Sequence, residues 1–178
     1  DARRQYDEAL LAWRTNPYAK RIVDIITDYT VGDGLTPVAP GEIGRFVDTF
    51  WSHPQNRLAL RLPELMDELS RAGDLFLVLF RNAADGMSYV RAVPKSEVVE
   101  IETAENDWER ELAYVVRGGG DDGRPPPAAG GQQPSGGGLG TTTFLSPQHP
   151  DASAADAVML HYSINRPVGA LLGESELA

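Results

Sequence analysis

The residues of this 178-residue chain that could do chemistry are few and scattered. His53, His149 and His161 are its only histidines, and no His-Glu-x-x-His of a zinc hydrolase occurs among them. His161 follows an apolar run, where a lone histidine reads first as a hydrogen-bonded core residue. Gly173-Glu174-Ser175-Glu176-Leu177 approaches a nucleophile elbow, but Leu177 stands where the second glycine belongs. The glycine tract at 136–140 lacks the Lys-Ser/Thr of a phosphate loop. Glu97, Glu100 and Glu102 could imitate a paired-carboxylate site. Glu100 and Glu102 fall on the same face of a strand, which reads more simply as a solvated face. Arg166, after the last apolar run, is placed to pair with an acidic neighbour. Asp33, between two glycines, is one carboxylate and far short of a calcium loop. The sequence therefore offers no catalytic, cofactor-binding or metal-binding residue, and no cofactor is expected.

The elements that would position these residues read more clearly. Residues 2–14 form a helix with Tyr6, Ala9, Leu10 and Trp13 on one face. Asn16 is a good N-cap and Pro17 a good first helical residue, because its missing N–H is not needed there. Tyr18, Ile22, Ile25, Ile26 and Tyr29 then recur at helical spacing, and Gly32 and Gly34 stop the helix. This stripe is expected to be the centre of the core, so Ile25→Asp is expected to unfold the domain. A third helix over 42–52 carries Ile43, Phe46, Val47 and Phe50 and ends at His53-Pro54. A fourth opens near Leu60–Pro63 and stops at Gly73.

The period then changes. Strands are expected at 74–81, 87–93, 97–103 and 111–117, with turns at 82–86 and 105–108, followed by a short strand at 141–145 and a last one at 157–162. On the third strand, Val98, Glu100 and Glu102 should face one way and Val99 and Ile101 the other. Gly173-Glu174-Ser175 reads as the opening of a further helix. The fold class is α+β: N-terminal helices packed on a mostly antiparallel sheet, with a long Gly/Pro-rich flexible insertion. Residues 1–117 and 157–178 belong to one domain, and 118–156 to the insertion.

Composition narrows the classes. The chain has no cysteine, which excludes disulfides and thiolate metal sites. A net charge of −10 disfavours sequence-independent binding to nucleic acid and docking on anionic membranes. No apolar run approaches the roughly 20 residues that span a bilayer, and the first residues show no signal-peptide core. A start without Met and a stop just after an expected helix opening suggest a piece of a longer protein.

Four segments, in order, resemble the portal proteins of tailed phages, the head-to-tail connector family. They are NPYAKRIVDIITDYTVGDGL at 16–35, RLPELMDELSRAGDLFLVLFRN at 61–82, SYVRAVPKSEVVEIETAENDWERELAYVV at 88–116 and AVMLHYSINRPVGALLGESELA at 157–178. The Gly/Pro-rich tract departs from the family pattern. The resemblance implies the N-terminal, wing-forming part of a non-catalytic subunit. Such subunits form a dodecameric ring at one capsid vertex, in the virion and, during assembly, in the host cytoplasm. Double-stranded DNA passes through the ring without sequence-specific contact, and the terminase large subunit, capsid and head–tail connector proteins dock on it. An acidic surface would let phosphates slide past. Two alternatives stand beside this reading: a carboxylate-dependent hydrolase using Glu97, Glu100 and Asp74, and a protein-binding module of a larger assembly.

Overall fold

A computed structural model describes residues 2–118 and 140–177. Four helices come first: α1 (Ala2–Thr15), α2 (Pro17–Val31), α3 (Gly41–Ser52) and α4 (Leu58–Ala72). Six strands follow: β1 (Asp74–Asn82), β2 (Met87–Val93), β3 (Val98–Ala104), β4 (Asp107–Arg117), β5 (Thr141–Leu145) and β6 (Ala157–Ser163). They form one sheet in the order β2-β1-β6-β5-β4-β3. Every pair is antiparallel except β5–β6, which meet in parallel at Leu145 and Val158. The α+β class and the order of its elements are as the sequence reads. The segment expected as one insertion over 118–156 divides. Residues 119–139, where the flexible tract was placed, lie outside the described residues, whereas Thr141–Leu145 is a strand of the sheet and buries Phe144.

The cap of α2 forms as expected: Asn16 Oδ1 accepts the Tyr18 N–H at 2.9 Å, with Pro17 behind it. Its buried face does not. Ala19, Val23, Thr27 and Val31 point inward, while Tyr18 is 82% exposed, Tyr29 91% and Ile25 38%. The reason is close packing on α4. Small side chains at a spacing of four let the two helices approach, and the Thr27 hydroxyl donates to Asp67 of α4 at 2.5 Å. Of the expected stripe, Tyr18, Ile22, Ile25 and Tyr29 are left exposed on the other side and Ile26 is half-buried. The expected unfolding by Ile25→Asp therefore falls away. The core sits in the sheet instead, around Phe76, Val78, Tyr114, Val116, Phe144 and Met159.

α4 starts at Leu58 after Arg57, whose φ of 47° is left-handed, so Pro63 lies inside the helix rather than opening it. Asn56, just before it, is fully buried. Its side chain donates to Phe50 O and Ser88 O and accepts the Val90 N–H, each at 3.0 Å. These last two bonds take up the outer backbone groups of the edge strand β2, which blunts that edge.

The expected alternation of β3 is also displaced. Val98 pairs with Val116 but Glu100 with Val115, so Val99 is an extra residue. Val98 and Ile101 then both pack on the core, and Val99, Glu100 and Glu102 are exposed. β2 and β3 are opposite edges of the sheet, yet only Pro94–Glu97, including the 3₁₀ turn Lys95–Glu97, joins them. That link spans at most about 18 Å, whereas the edges of a flat six-stranded sheet lie about 24 Å apart. The sheet therefore curls, which brings Val93 and Val98 into the same cluster.

Candidate functional site

Among the described residues, a dense buried cluster of charges forms where α4 hands over to β1. Gly73 caps α4 in the left-handed conformation, φ 79°, and its N–H bonds Leu69 O at 2.8 Å. That turn leads directly into β1, so Asp74 is the first residue of the strand and shares a face with Phe76. Across the ladder, Phe76 is paired with His161 of β6. The two rings stack at 4.3 Å with an interplanar angle of 9°.

His161 is gripped from both sides. Its Nε2 lies 2.8 Å from Asp74 Oδ1, and its Nδ1 lies 2.9 Å from Glu111 Oε1. Glu111 reaches it because β4 carries an extra residue at Leu112, between the pairs Glu102–Ala113 and Thr103–Glu111. The same bulge puts Tyr114 beside Glu111, and the Tyr114 hydroxyl donates to Glu111 Oε2 at 2.6 Å. On the far side, Lys95 Nζ pairs with Asp74 Oδ2 at 2.6 Å and donates to Ala72 O and Gly173 O at 2.9 and 3.0 Å. The Gly173 N–H donates to Asp74 Oδ1 at 2.8 Å. The result is a chain of alternating charge, Lys95–Asp74–His161–Glu111, with Arg166 Nη1 a further 3.9 Å from Glu111.

The electrostatics follow from this pairing. Burial alone would lower the His161 pKa, but hydrogen bonds to Asp74 and Glu111 and their charges outweigh it and hold it above the ordinary value. Burial likewise pushes Glu111 up, and its bonds from His161 and Tyr114 bring it below the usual carboxylate range. Burial and the bond to Glu111 push Tyr114 up. A ring with a carboxylate at each nitrogen is satisfied by donating from both, as an imidazolium. Two cations and two anions then balance, which is the condition for burying charge at tolerable cost.

The cluster also fastens the chain beyond β6. Ile164 N–H donates to Gly73 O at 2.9 Å, Glu174 N–H to Ile164 O at 3.2 Å and Glu176 N–H to Ser70 O at 2.9 Å. Gly73 and Gly173 cross so closely that a Cβ on either would overlap backbone atoms. The helix expected to open at 173–175 is not formed among the described residues: the Gly173, Glu174 and Glu176 N–H groups bond Asp74 Oδ1, Ile164 O and Ser70 O, and Ser175 Oγ accepts the Leu177 N–H at 2.9 Å.

Glu111, His161, Ser163 and Arg166 line a surface groove of about 300 Å³. His161 itself shows only 2% of its side chain, and both its nitrogens face carboxylates. Ser146, also on the groove, accepts the Gln148 N–H at 3.2 Å and has no bond to His161. The other candidates do not converge. His53 and His149 sit in separate turns, each accepting a backbone N–H two residues on. Glu100 and Glu102 face outward on β3, Glu97 lies in the 3₁₀ turn, and Asp33 is exposed after α2. Asp74 joins the buried chain rather than Glu97 or Glu100. Arg166 does find its acidic neighbour, Glu111. Lys95, Glu111 and Tyr114 were not legible as site residues. The one available signal was a charged residue, Asp74, heading an apolar strand, which requires a buried partner. Among the described residues, no three His, Asp or Glu side chains form a group that could hold a metal ion, and no helix is long and apolar enough to cross a membrane.

No protein-family model and no curated protein sequence matches the chain.

Proposed function

We propose that the chain is the wing-forming part of a structural subunit of a tailed-phage portal ring. In this reading the ring passes double-stranded DNA into and out of the capsid and docks the terminase motor and tail connector. The observation that carries the assembly part is the outward stripe of α2. A helix apolar on one face only is satisfied by one core, whereas α2 buries Ala19, Val23, Thr27 and Val31 and presents Tyr18, Ile22, Ile25 and Tyr29 to solvent on the other side. Each of the two tyrosines offers roughly 200 Å². An exposed apolar patch of this kind marks a surface meant to be covered. The portal part is supported by the order of the four resembling segments, which fall on α2, on α4 and β1, on β2 to β4, and on β6 with the chain after it.

A protein-binding module of another large assembly is the second reading, favoured by the same stripe. Electron microscopy of the gene product that contains this chain, with its mass from light scattering, separates them. Rings with a central channel are the expected result. A stable monomer or dimer overturns the portal reading.

A further inference from the structure

We infer that neighbouring copies meet by seating the Trp108 end of the β3–β4 hairpin of one on the α2 stripe of the next. This rests on the ring reading, because a head-to-tail ring needs two different, complementary patches on every subunit. The molecule carries a second such patch. Trp108 is 69% exposed, and with Val168 it lines a shallow cleft of about 160 Å³ beside Glu109 and Arg166. It is displayed by the backbone. Between the pairs Ala104–Asp107 and Thr103–Glu111, the residues Trp108–Arg110 have no partner on β3, so they bulge from the ladder. The two patches belong to different parts of the subunit: α2 packs on α1 and α4, and β4 lies between β3 and β5.

Charge selects the pairing. The hairpin exposes Glu100, Glu102, Glu105, Asp107 and Glu109 with only Arg110 against them. On a chain of net charge −10, most of the surface of a second copy repels it. The α1–α2 region is not acidic: over residues 2–31, five cations (Arg3, Arg4, Arg14, Lys20, Arg21) stand beside four anions (Asp7, Glu8, Asp24, Asp28), so of the two exposed apolar helix faces α2 is the one that does not repel the hairpin. On α3 two anions, Glu42 and Asp48, outnumber Arg45, so its exposed Ile43 and Phe46 are the poorer seat. The α2 stripe runs about 16 Å from Tyr18 to Tyr29, long enough to take the end of a two-stranded hairpin. Indole against isoleucine, framed by two tyrosines, is the kind of aromatic anchor that dominates protein interfaces.

Two variants of the 178-residue chain test this, Ile25→Asp and Trp108→Ala, each first shown to melt like the wild type. Light scattering is expected to show wild-type mass rising with concentration beyond a dimer, and each variant alone as a monomer. Mixed one to one, the variants should form a dimer that grows no further, since each retains the patch that the other lacks. A mixture that stays monomeric, a Trp108→Ala variant that assembles like the wild type, or a wild type monomeric at every concentration overturns the contact. Assembly lost in Ile25→Asp alone would instead mean that α2 pairs with α2, which the mirror spacing 18, 22, 25, 29 allows, and overturns it too. The two readings fail separately. A capped dimer with no rings in the microscope keeps the contact and removes the portal. Rings that survive Trp108→Ala in the gene product do the reverse.

Discussion

His161 lies between Asp74 and Glu111 at 2.8 and 2.9 Å, and this fixes how the domain should respond to pH. Its pKa is raised on folding, so its contribution is complete below the ordinary value of 6.5 and is lost as pH rises through the folded pKa. Glu111 is lowered, so its contribution is complete above 4.5 and is lost as pH falls through its folded pKa. The groups facing this ring are Asp74 of β1, Glu111 and Tyr114 of β4, Lys95 of the 3₁₀ turn, which reaches it through Asp74, and Arg166 after β6. The Tm difference between the wild type and His161→Asn should therefore be largest between about pH 4.5 and 6.5. It should shrink as the solution becomes more alkaline. A difference that stays constant to high pH would show that the imidazolium is not what the carboxylates hold. In the sequence, His161 read as a hydrogen-bonded core histidine, and it is one. Its partners could not be read, because Lys95, Glu111 and His161 are brought together by curling and by a bulge, and neither leaves a mark in local spacing.

At the scale of elements, α2 shows where periodicity succeeds and where it stops. Its limits and its cap were legible because they depend on neighbours in sequence: Asn16, Pro17 and Gly32 act on the backbone next to them. Which of its two apolar stripes turns inward depends on α4. Large side chains won on hydrophobicity alone, yet Ala19, Val23 and Thr27 are buried because closeness to α4 outweighs bulk. Paired substitutions check this directly. Val23→Asp places an unpaired charge on a fully buried site and should cost several kcal/mol, about 3 or more, enough to unfold a marginal domain. Ile25→Asp, at a site 38% exposed, should change thermal melting little. Equal losses in the two variants would refute the orientation. β3 teaches the same lesson, since one extra residue at Val99 shifted the alternation that its sequence predicts.

For the whole molecule, the helices and the curled sheet meet at the α4–β1 junction, and the chain after β6 is tied to the same place. The tract between β4 and β5, residues 119–139, lies outside the described residues. Its flanks are already adjacent: Arg117 pairs with Thr141, and the Gly118 N–H donates to Gly140 O. Deleting Gly119–Gly138 should therefore alter stability by less than about 1 kcal/mol, because loop closure depends only weakly on length. A large loss on denaturant unfolding would mean that the tract packs on the domain. By itself the sequence determined the α+β class, most of the element limits (β4, which starts at Asp107 inside the turn expected at 105–108, is an exception) and the acidic, cysteine-free composition, because propensity, capping and charge act locally and sum along the chain. The tertiary structure alone decided three things: which stripe of α2 is buried, the Lys95–Asp74–His161–Glu111 ion chain, and the exposed Trp108. Each depends on packing distance, sheet curl or an inserted residue between segments far apart in sequence, and those are properties of contacts that no single segment contains.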